Sequence, residues 1–297
     1  MRPVKTFIEQ DDLRRVLPPR LDPRCVLALA AETADGLFPS GSAVLISDQL
    51  AITARHVIDD YLDRLGKTLE GRYAFNIVGA CAFSRDDWNV KWNFHTTNTA
   101  ESNDEIKTPT SDLVLLVLPQ SGPPIEGIRY PTLRLVPPRS GEKVVNLGSQ
   151  SPKVKRTITG ETAIDEWRDE RTISTGVIRD VFHQRRDSSM MPFPCFVSDA
   201  FSANGMSGGP VFDLEARLCG VLSTGVVDAE SGEHVSTLSS VWPALVIPVE
   251  PAVFGLDLTT PFFLCDAVRR GLVKAEGFER FRVSYHLPGI TISLLAR

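Results

Sequence analysis

A chain of 297 residues, 42% hydrophobic and 23% charged, has an ordinary globular composition and can bury a sizeable core in one or two domains. Its net charge of −5 implies no broad electrostatic pull toward nucleic acid, and no apolar run approaches the ~20 residues of a membrane span. The 21 glycines and 21 prolines suit a short-stranded β fold with many turns.

Residues 1–24 are charged and end in Leu-Pro-Pro-Arg-Leu-Asp-Pro, a lead-in with a short helix expected at 6–16. Glu9, Asp11, Asp12 and Asp22 ahead of the first apolar run are unlike a secretory leader. Runs rich in Val, Ile, Leu and Thr then predict strands at 25–31, 41–47, 50–55, 73–83 and 112–118. The spacing of Val57, Tyr61 and Leu65 predicts a helix over 56–66. The polar stretch 84–111, with Trp88 and Trp92, reads as a long exposed loop, and Pro123-Pro124 and Pro137-Pro138 flank a crossover between halves. Further strands are expected at 132–136, 142–148, 171–182, 194–198, 209–213, 218–227 and 236–241, with loops at 149–170 and 183–193. The basic clusters at 153–156 and 183–186 read as solvated loop faces. Leu264, Val268 and Leu272 at i, i+4, i+8 predict a helix over 261–274, and 279–297 adds one or two strands. Cys25, Cys81, Cys195, Cys219 and Cys265 are odd in number and sparse, with no Cys-x-x-Cys pair for zinc. Unpaired thiols in a soluble, cytoplasmic protein are the expectation.

Residues 204–213 read Asn-Gly-Met-Ser-Gly-Gly-Pro-Val-Phe-Asp. A serine between glycines suits a nucleophile on a tight turn, with amides free to converge on one point as an acyl-transfer oxyanion needs. Ser207 would be that nucleophile, and the amides of Gly205 and Ser207 the oxyanion donors. A serine needs a base, and the base an orienting acid. His56, ending Leu-Ala-Ile-Thr-Ala-Arg-His, fits the base, and Asp112, opening Asp-Leu-Val-Leu-Leu-Val-Leu, fits the acid. Singly, each has a bland reading: a hairpin serine, a histidine ending a strand, an aspartate starting one. His95, His183, His234 and His286 lack a comparable context and read as surface or loop residues.

The order His, Asp, Ser, with spacings of 56 and 95 residues, and the three local blocks resemble the chymotrypsin/trypsin-like serine peptidases over roughly residues 25–250. The blocks are similar to the family's Thr-Ala-Ala-His, Asp-Ile-Ala-Leu-Leu and Gly-Asn-Ser-Gly-Gly-Pro, the last as in the bacterial trypsin-like and HtrA branches. The resemblance implies an all-β fold of two six-stranded antiparallel barrels with a C-terminal helix and the active site in the cleft between. The lead-in would cover 1–24, the first barrel 25–125, the second 126–250, and the helix and extension 251–297, of which 279–297 is too short for a PDZ domain. It implies a serine endopeptidase working through an acyl-enzyme, with no cofactor or metal and with protein or peptide substrates. Without PDZ or leader, an effector of a regulated bacterial stress or defence system, switched by a protein partner, fits. The rival is an inactive scaffold of the same fold that binds peptides or a partner.

The resemblance also assigns finer roles. Ser223 would hydrogen-bond Asp112, Thr224 and Gly225 would hold substrate backbone, and Phe201 and Ser202 would line a shallow, apolar or small pocket without an acid. Val57 stands where secreted animal trypsins place a cysteine, so that bridge is absent. Met206 stands where zymogen-activated trypsins place an aspartate that pairs with a new N-terminus, so activation by N-terminal cleavage is not expected. Arg55 replaces the usual alanine, and would depress the His56 pKa unless a carboxylate neutralises it or it points outward.

Overall fold

The computed structural model describes residues 18–66, 75–82, 89–94, 96–98, 111–118, 127–159, 162–227, 232–286 and 289–295. The helix expected at 6–16, most of the polar stretch 84–111 and Pro123-Pro124 lie outside them.

The first sheet comprises β1 (Val26–Thr33), β2 (Gly36–Leu45), β3 (Leu50–Thr53), β4 (Asn76–Ala82), β5 (Asn89–Phe94), β6 (Thr96–Asn98) and β7 (Val114–Val117). Helix α1 (Arg55–Leu65) leaves β3 after a single residue, Ala54. The strands pair antiparallel in the order β5-β4-β1-β2-β3-β7-β6, a curled sheet that stays open among the described residues. Side-chain size sorts the two faces of β1. Leu27 and Leu29 enter the main core, whereas Ala28 and Ala30 pack with Val78 and Ala80 on the other face.

The second sheet comprises β8 (Leu133–Arg134), β9 (Lys143–Thr159), β10 (Thr162–Phe182), β11 (Cys195–Ser198), β12 (Pro210–Asp213), β13 (Leu218–Val227), β14 (His234–Ser240) and β15 (Ala275–Glu276). Its order β12-β9-β10-β11-β14-β13, with β12 also paired to β13, closes a six-stranded antiparallel barrel. β8 and β15 extend it in parallel from β13. Val144, Ile178, Phe196, Met206, Val211, Cys219, Leu222 and Leu238 form a cluster of their own within this sheet. Leu147, Phe212, Leu218 and Val221 join the main core with the first sheet.

Four expectations change. Within the stretch 84–111, read as a loop, Asn89–Phe94 and Thr96–Asn98 are strands β5 and β6, paired to β4 and β7. The segment 149–170 is not a loop: β9 and β10 continue as arms of one hairpin, registered from Val177↔Lys143 to Thr162↔Thr159. Charge had masked β-branched Val154, Thr157, Ile158, Thr162 and Ile164, and an antiparallel ribbon tolerates charge because it need not be buried on both faces. The C-terminal helix is only α2 (Leu264–Arg269), stopped at Gly271, where φ is +70°. The 132–136 strand shrinks to Leu133–Arg134. β16 (Phe281–His286) and β17 (Gly289–Leu294) close the chain as a separate hairpin. No helix among the described residues is long and apolar enough to cross a membrane. Cys25, Cys195, Cys219 and Cys265 are buried, the last three as free thiols, and burial pushes the Cys195 and Cys265 thiols up to about 11; the Cys81 side chain lies outside the description.

The two sheets meet at β2 and the turn 204–208. Ser42 donates its N–H to the Ser207 carbonyl at 2.7 Å and its hydroxyl to the Gly205 carbonyl at 3.0 Å. That hydroxyl also accepts the Ser149 N–H at 2.9 Å, and Thr53 donates to the Ser42 carbonyl at 2.6 Å. Gly208, at φ +81°, allows this approach: a Cβ there would fall 2.2 Å from both Ser42 O and Thr53 Oγ1. Gly208→Ala should therefore cost roughly 3 kcal/mol or more, combining backbone strain and overpacking of about 1–3 kcal/mol each. Gly271→Ala, with a similar φ and no atom within 4 Å of the added Cβ, should cost only about 1–2 kcal/mol. Urea unfolding of the two variants measures the difference, and equal losses would show that the seam does not depend on this glycine.

Candidate active site

α1 starts without a side-chain cap of its own, so its first-turn amides need acceptors from elsewhere. Asp112, buried just ahead of β7, supplies one: its Oδ1 accepts the His56 N–H at 3.0 Å. Its Oδ2 accepts from His56 Nδ1 at 2.8 Å and from the Ser223 hydroxyl at 2.6 Å, and Ser223 Oγ is linked onward to Ser239 Oγ at 2.8 Å. The main chain adds a bond from Arg55 N–H to the Asp112 carbonyl at 3.2 Å. One carboxylate thus holds both the backbone and the ring of His56. With Nδ1 donating to Asp112, neutral His56 presents Nε2 as an acceptor.

The surroundings of the imidazole oppose one another. Burial by the surrounding protein pulls its pKa down, but the hydrogen bond and charge of Asp112, with Asp59 and Asp60 on the next turn, outweigh it and hold His56 above the ordinary 6.5. The Arg55 guanidinium lies 3.4 Å from Asp59, one helical turn on, so a carboxylate faces its charge.

Ser207 lies on the turn 204–208, where Gly205 and Gly208 take φ of +91° and +81°. Met206 between them is fully buried and belongs to the second sheet's cluster with Val144, Phe196 and Leu238. Gly148 on β9 leaves it room: a Cβ there would come within 2.9 Å of Met206 Cβ. The Met206 N–H donates to the Ala203 carbonyl at 3.0 Å, the Gly209 N–H to the Met206 carbonyl at 2.9 Å, and the Ala203 N–H reaches Met206 Sδ at 3.3 Å. Among the described residues, the N–H groups of Gly205 and Ser207 have no acceptor. The Ser207 hydroxyl donates to the Ser223 carbonyl at 3.3 Å, and no hydrogen bond joins it to His56. Ser207 and His56 nevertheless line one cavity of about 370 Å³ with Ser40, Gly41, Gly205 and the acidic residues of α1.

Phe201, Ser202 and Gly225 also come together, with the segment 200–203 lying against the end of β13. Thr224 sits on β13 opposite Thr237 of β14. His234 joins this group and was missed: it opens β14, and its Nε2 accepts the Ser202 N–H at 2.9 Å while its ring lies 4.9 Å from that of Phe201. Burial pulls its pKa down, favouring the neutral ring. No local motif marks it, because its place depends on the β13–β14 register. Among the described residues, no cluster of His, Cys, Asp and Glu could hold a metal ion.

A profile of the trypsin-like peptidase domain matches residues 41–221, more than half of the chain. No curated protein matches it. Among solved structures, the active form of the Rv3671c protease from M. tuberculosis is 18% identical, covering 87% of this chain and 93% of that one with a TM-score of 0.47. Neuropsin, a serine protease expressed in the limbic system of mouse brain, is 14% identical, covering 75% of this chain and 93% of that one with a TM-score of 0.47.

The burial of Met206 yields a stability prediction. Met206→Ala should lose about 2–5 kcal/mol, as large-to-small core changes do, whereas Met206→Leu should lose less than about 1.5 kcal/mol. Thermal unfolding distinguishes them, and a negligible loss in Met206→Ala would mean that the turn is not anchored through this side chain.

Proposed function

The chain belongs to the trypsin-like peptidase family, and from that premise we propose that it is a serine endopeptidase whose nucleophile, base and orienting acid are Ser207, His56 and Asp112. The observation that carries the reading is the one cavity shared by the Ser207 hydroxyl and an imidazole already bonded at 2.8 Å to a buried carboxylate. In the reaction, Ser207 Oγ swings from the Ser223 carbonyl toward His56 Nε2 and attacks the substrate carbonyl carbon. Its proton passes to Nε2, and Asp112 stabilises the resulting imidazolium. The new oxyanion is received by the two N–H groups left without acceptors, those of Gly205 and Ser207. Collapse of the tetrahedral species breaks the C–N bond, and His56 hands its proton to the departing amine. Water then repeats the sequence on the acyl-enzyme, releasing the acid and restoring Ser207. The substrate is a peptide or protein.

A second reading, a peptide-binding scaffold of the same fold, is favoured by one observation: the Ser207 hydroxyl is bonded to the Ser223 carbonyl and not to His56. A fluorophosphonate separates the two, because it labels only an activated serine. The wild type should label and Ser207→Ala should not; an unlabelled wild type would favour the scaffold. Asp112→Asn should lower turnover by about 10⁴, the scale seen when this carboxylate becomes an amide in the trypsin-type triad.

The raised His56 pKa sets the pH dependence. The base works only when neutral, so labelling should increase with pH through a midpoint above 6.5. Asp59→Asn with Asp60→Asn removes two negative charges that favour the imidazolium and should move that midpoint down. A midpoint that does not move in the double variant would remove the helix charges from the account.

A further inference from the structure

We infer that His234 closes the slot receiving the side chain just before the cleaved bond, so that the protein cleaves after small residues such as glycine, alanine and serine. The inference rests on the peptidase reading. The leaving amine must lie at His56, which supplies its proton. The acyl side of the substrate therefore runs away from the His56 cavity, toward the seam between residues 200–203 and the end of β13 at 223–225.

That seam is already filled. A Cβ on Gly225 would fall 1.9 Å from Ser202 Oγ and 3.1 Å from His234 Nε2, so these two side chains occupy the space beside the Gly225 α-carbon. His234 Nε2 accepts the Ser202 N–H at 2.9 Å and lies 3.2 Å from the Ser202 hydroxyl. Accepting an N–H there requires the neutral ring with its proton on Nδ1.

The wall is also tied from behind at successive residues. The fully buried Ser236 donates to the Ala200 carbonyl at 2.6 Å and lies 2.9 Å from Ser202 Oγ. The Phe201 carbonyl accepts from Asn146 Nδ2 at 3.4 Å and also from the Ser174 hydroxyl. Drawing the wall back for a large side chain would leave buried polar groups unpaired. None of Phe201, Ser202, Gly225, His234 and Ser236 is acidic, so no charge invites lysine or arginine. Hydrogen, methyl or hydroxymethyl is the substituent the space accepts.

The test uses the full chain and peptides that differ only in the residue before the cleaved bond: alanine, serine, phenylalanine, arginine or glutamate. Wild type should favour alanine over phenylalanine by about tenfold or more in kcat/KM, the scale at which a pocket discriminates small apolar groups. His234→Ala should raise the relative rate for phenylalanine by a similar factor. His234→Gln, which retains an acceptor for the Ser202 N–H, should keep the small-residue preference. A wild-type preference for phenylalanine, arginine or glutamate overturns the inference, as does an unchanged ranking in His234→Ala; if that variant does not fold, the wild-type ranking decides. Labelling of Ser207 by a small alkyl fluorophosphonate reports in each protein whether the serine is activated. Labelling with the wrong ranking removes this inference alone, whereas no labelling of wild type removes the peptidase reading and this inference with it.

Discussion

Ser42 is fully buried where the two sheets meet and donates twice across the seam, to the carbonyls of Ser207 and Gly205. Those bonds hold two peptide groups of the turn 204–208 against β2. These are the Gly205–Met206 and Ser207–Gly208 peptide groups, whose N–H groups donate to the Ala203 and Leu222 carbonyls, while the N–H groups of Gly205 and Ser207, on the alternate peptide groups, have no acceptor among the described residues. A buried amide without a partner is costly, but both residues are partly exposed and border the cavity. The contact also brings His56 and Ser207 together, because Ser42 and Thr53 belong to the sheet that launches α1, while Ser207 belongs to the other. Neither sheet carries the arrangement alone.

The same economy governs Asp112. A carboxylate with almost no exposure must be paired or richly hydrogen-bonded. Asp112 receives three donors, the His56 N–H, His56 Nδ1 and the Ser223 hydroxyl, drawn from α1 and from β13. It therefore serves as an acceptor for the first turn of α1, as the partner of the imidazole and as a link between the sheets. The charges further along α1 act on the same ring through space, and Arg55, which alone would disfavour the imidazolium, is faced by Asp59.

Met206 shows how a turn can be set without an ion pair. Where the zymogen-activated peptidases this sequence resembles rely on an aspartate meeting a newly cut N-terminus, this chain buries a thioether in the second sheet's cluster, with Gly148 making room. Apolar anchoring needs no partner to be generated and does not titrate. A flexible side chain such as methionine also adapts to an irregular gap, which suits a position between two left-handed glycines.

The strand runs, the helix after His56 and the three blocks around His56, Asp112 and Ser207 were legible in the sequence because each is local. Period-two apolar runs, i, i+4 spacing and a glycine-flanked serine follow from neighbouring residues alone. The β9–β10 ribbon was not legible, since charge concealed its β-branched residues, and register is decided across strands. The short α2 ended early at Gly271, a boundary its apolar spacing did not show. His234 had no local signal because β13–β14 pairing, not sequence proximity, brings it to Ser202. Local sequence was enough to mark the three motif blocks and most of the strands. Long-range packing was needed to show that Asp112 holds His56 from both backbone and ring, that Met206 points into a core, and that the Ser207 hydroxyl rests on the Ser223 carbonyl. Each of these is a contact between segments far apart in the chain, fixed by packing and hydrogen-bond satisfaction rather than by local preference.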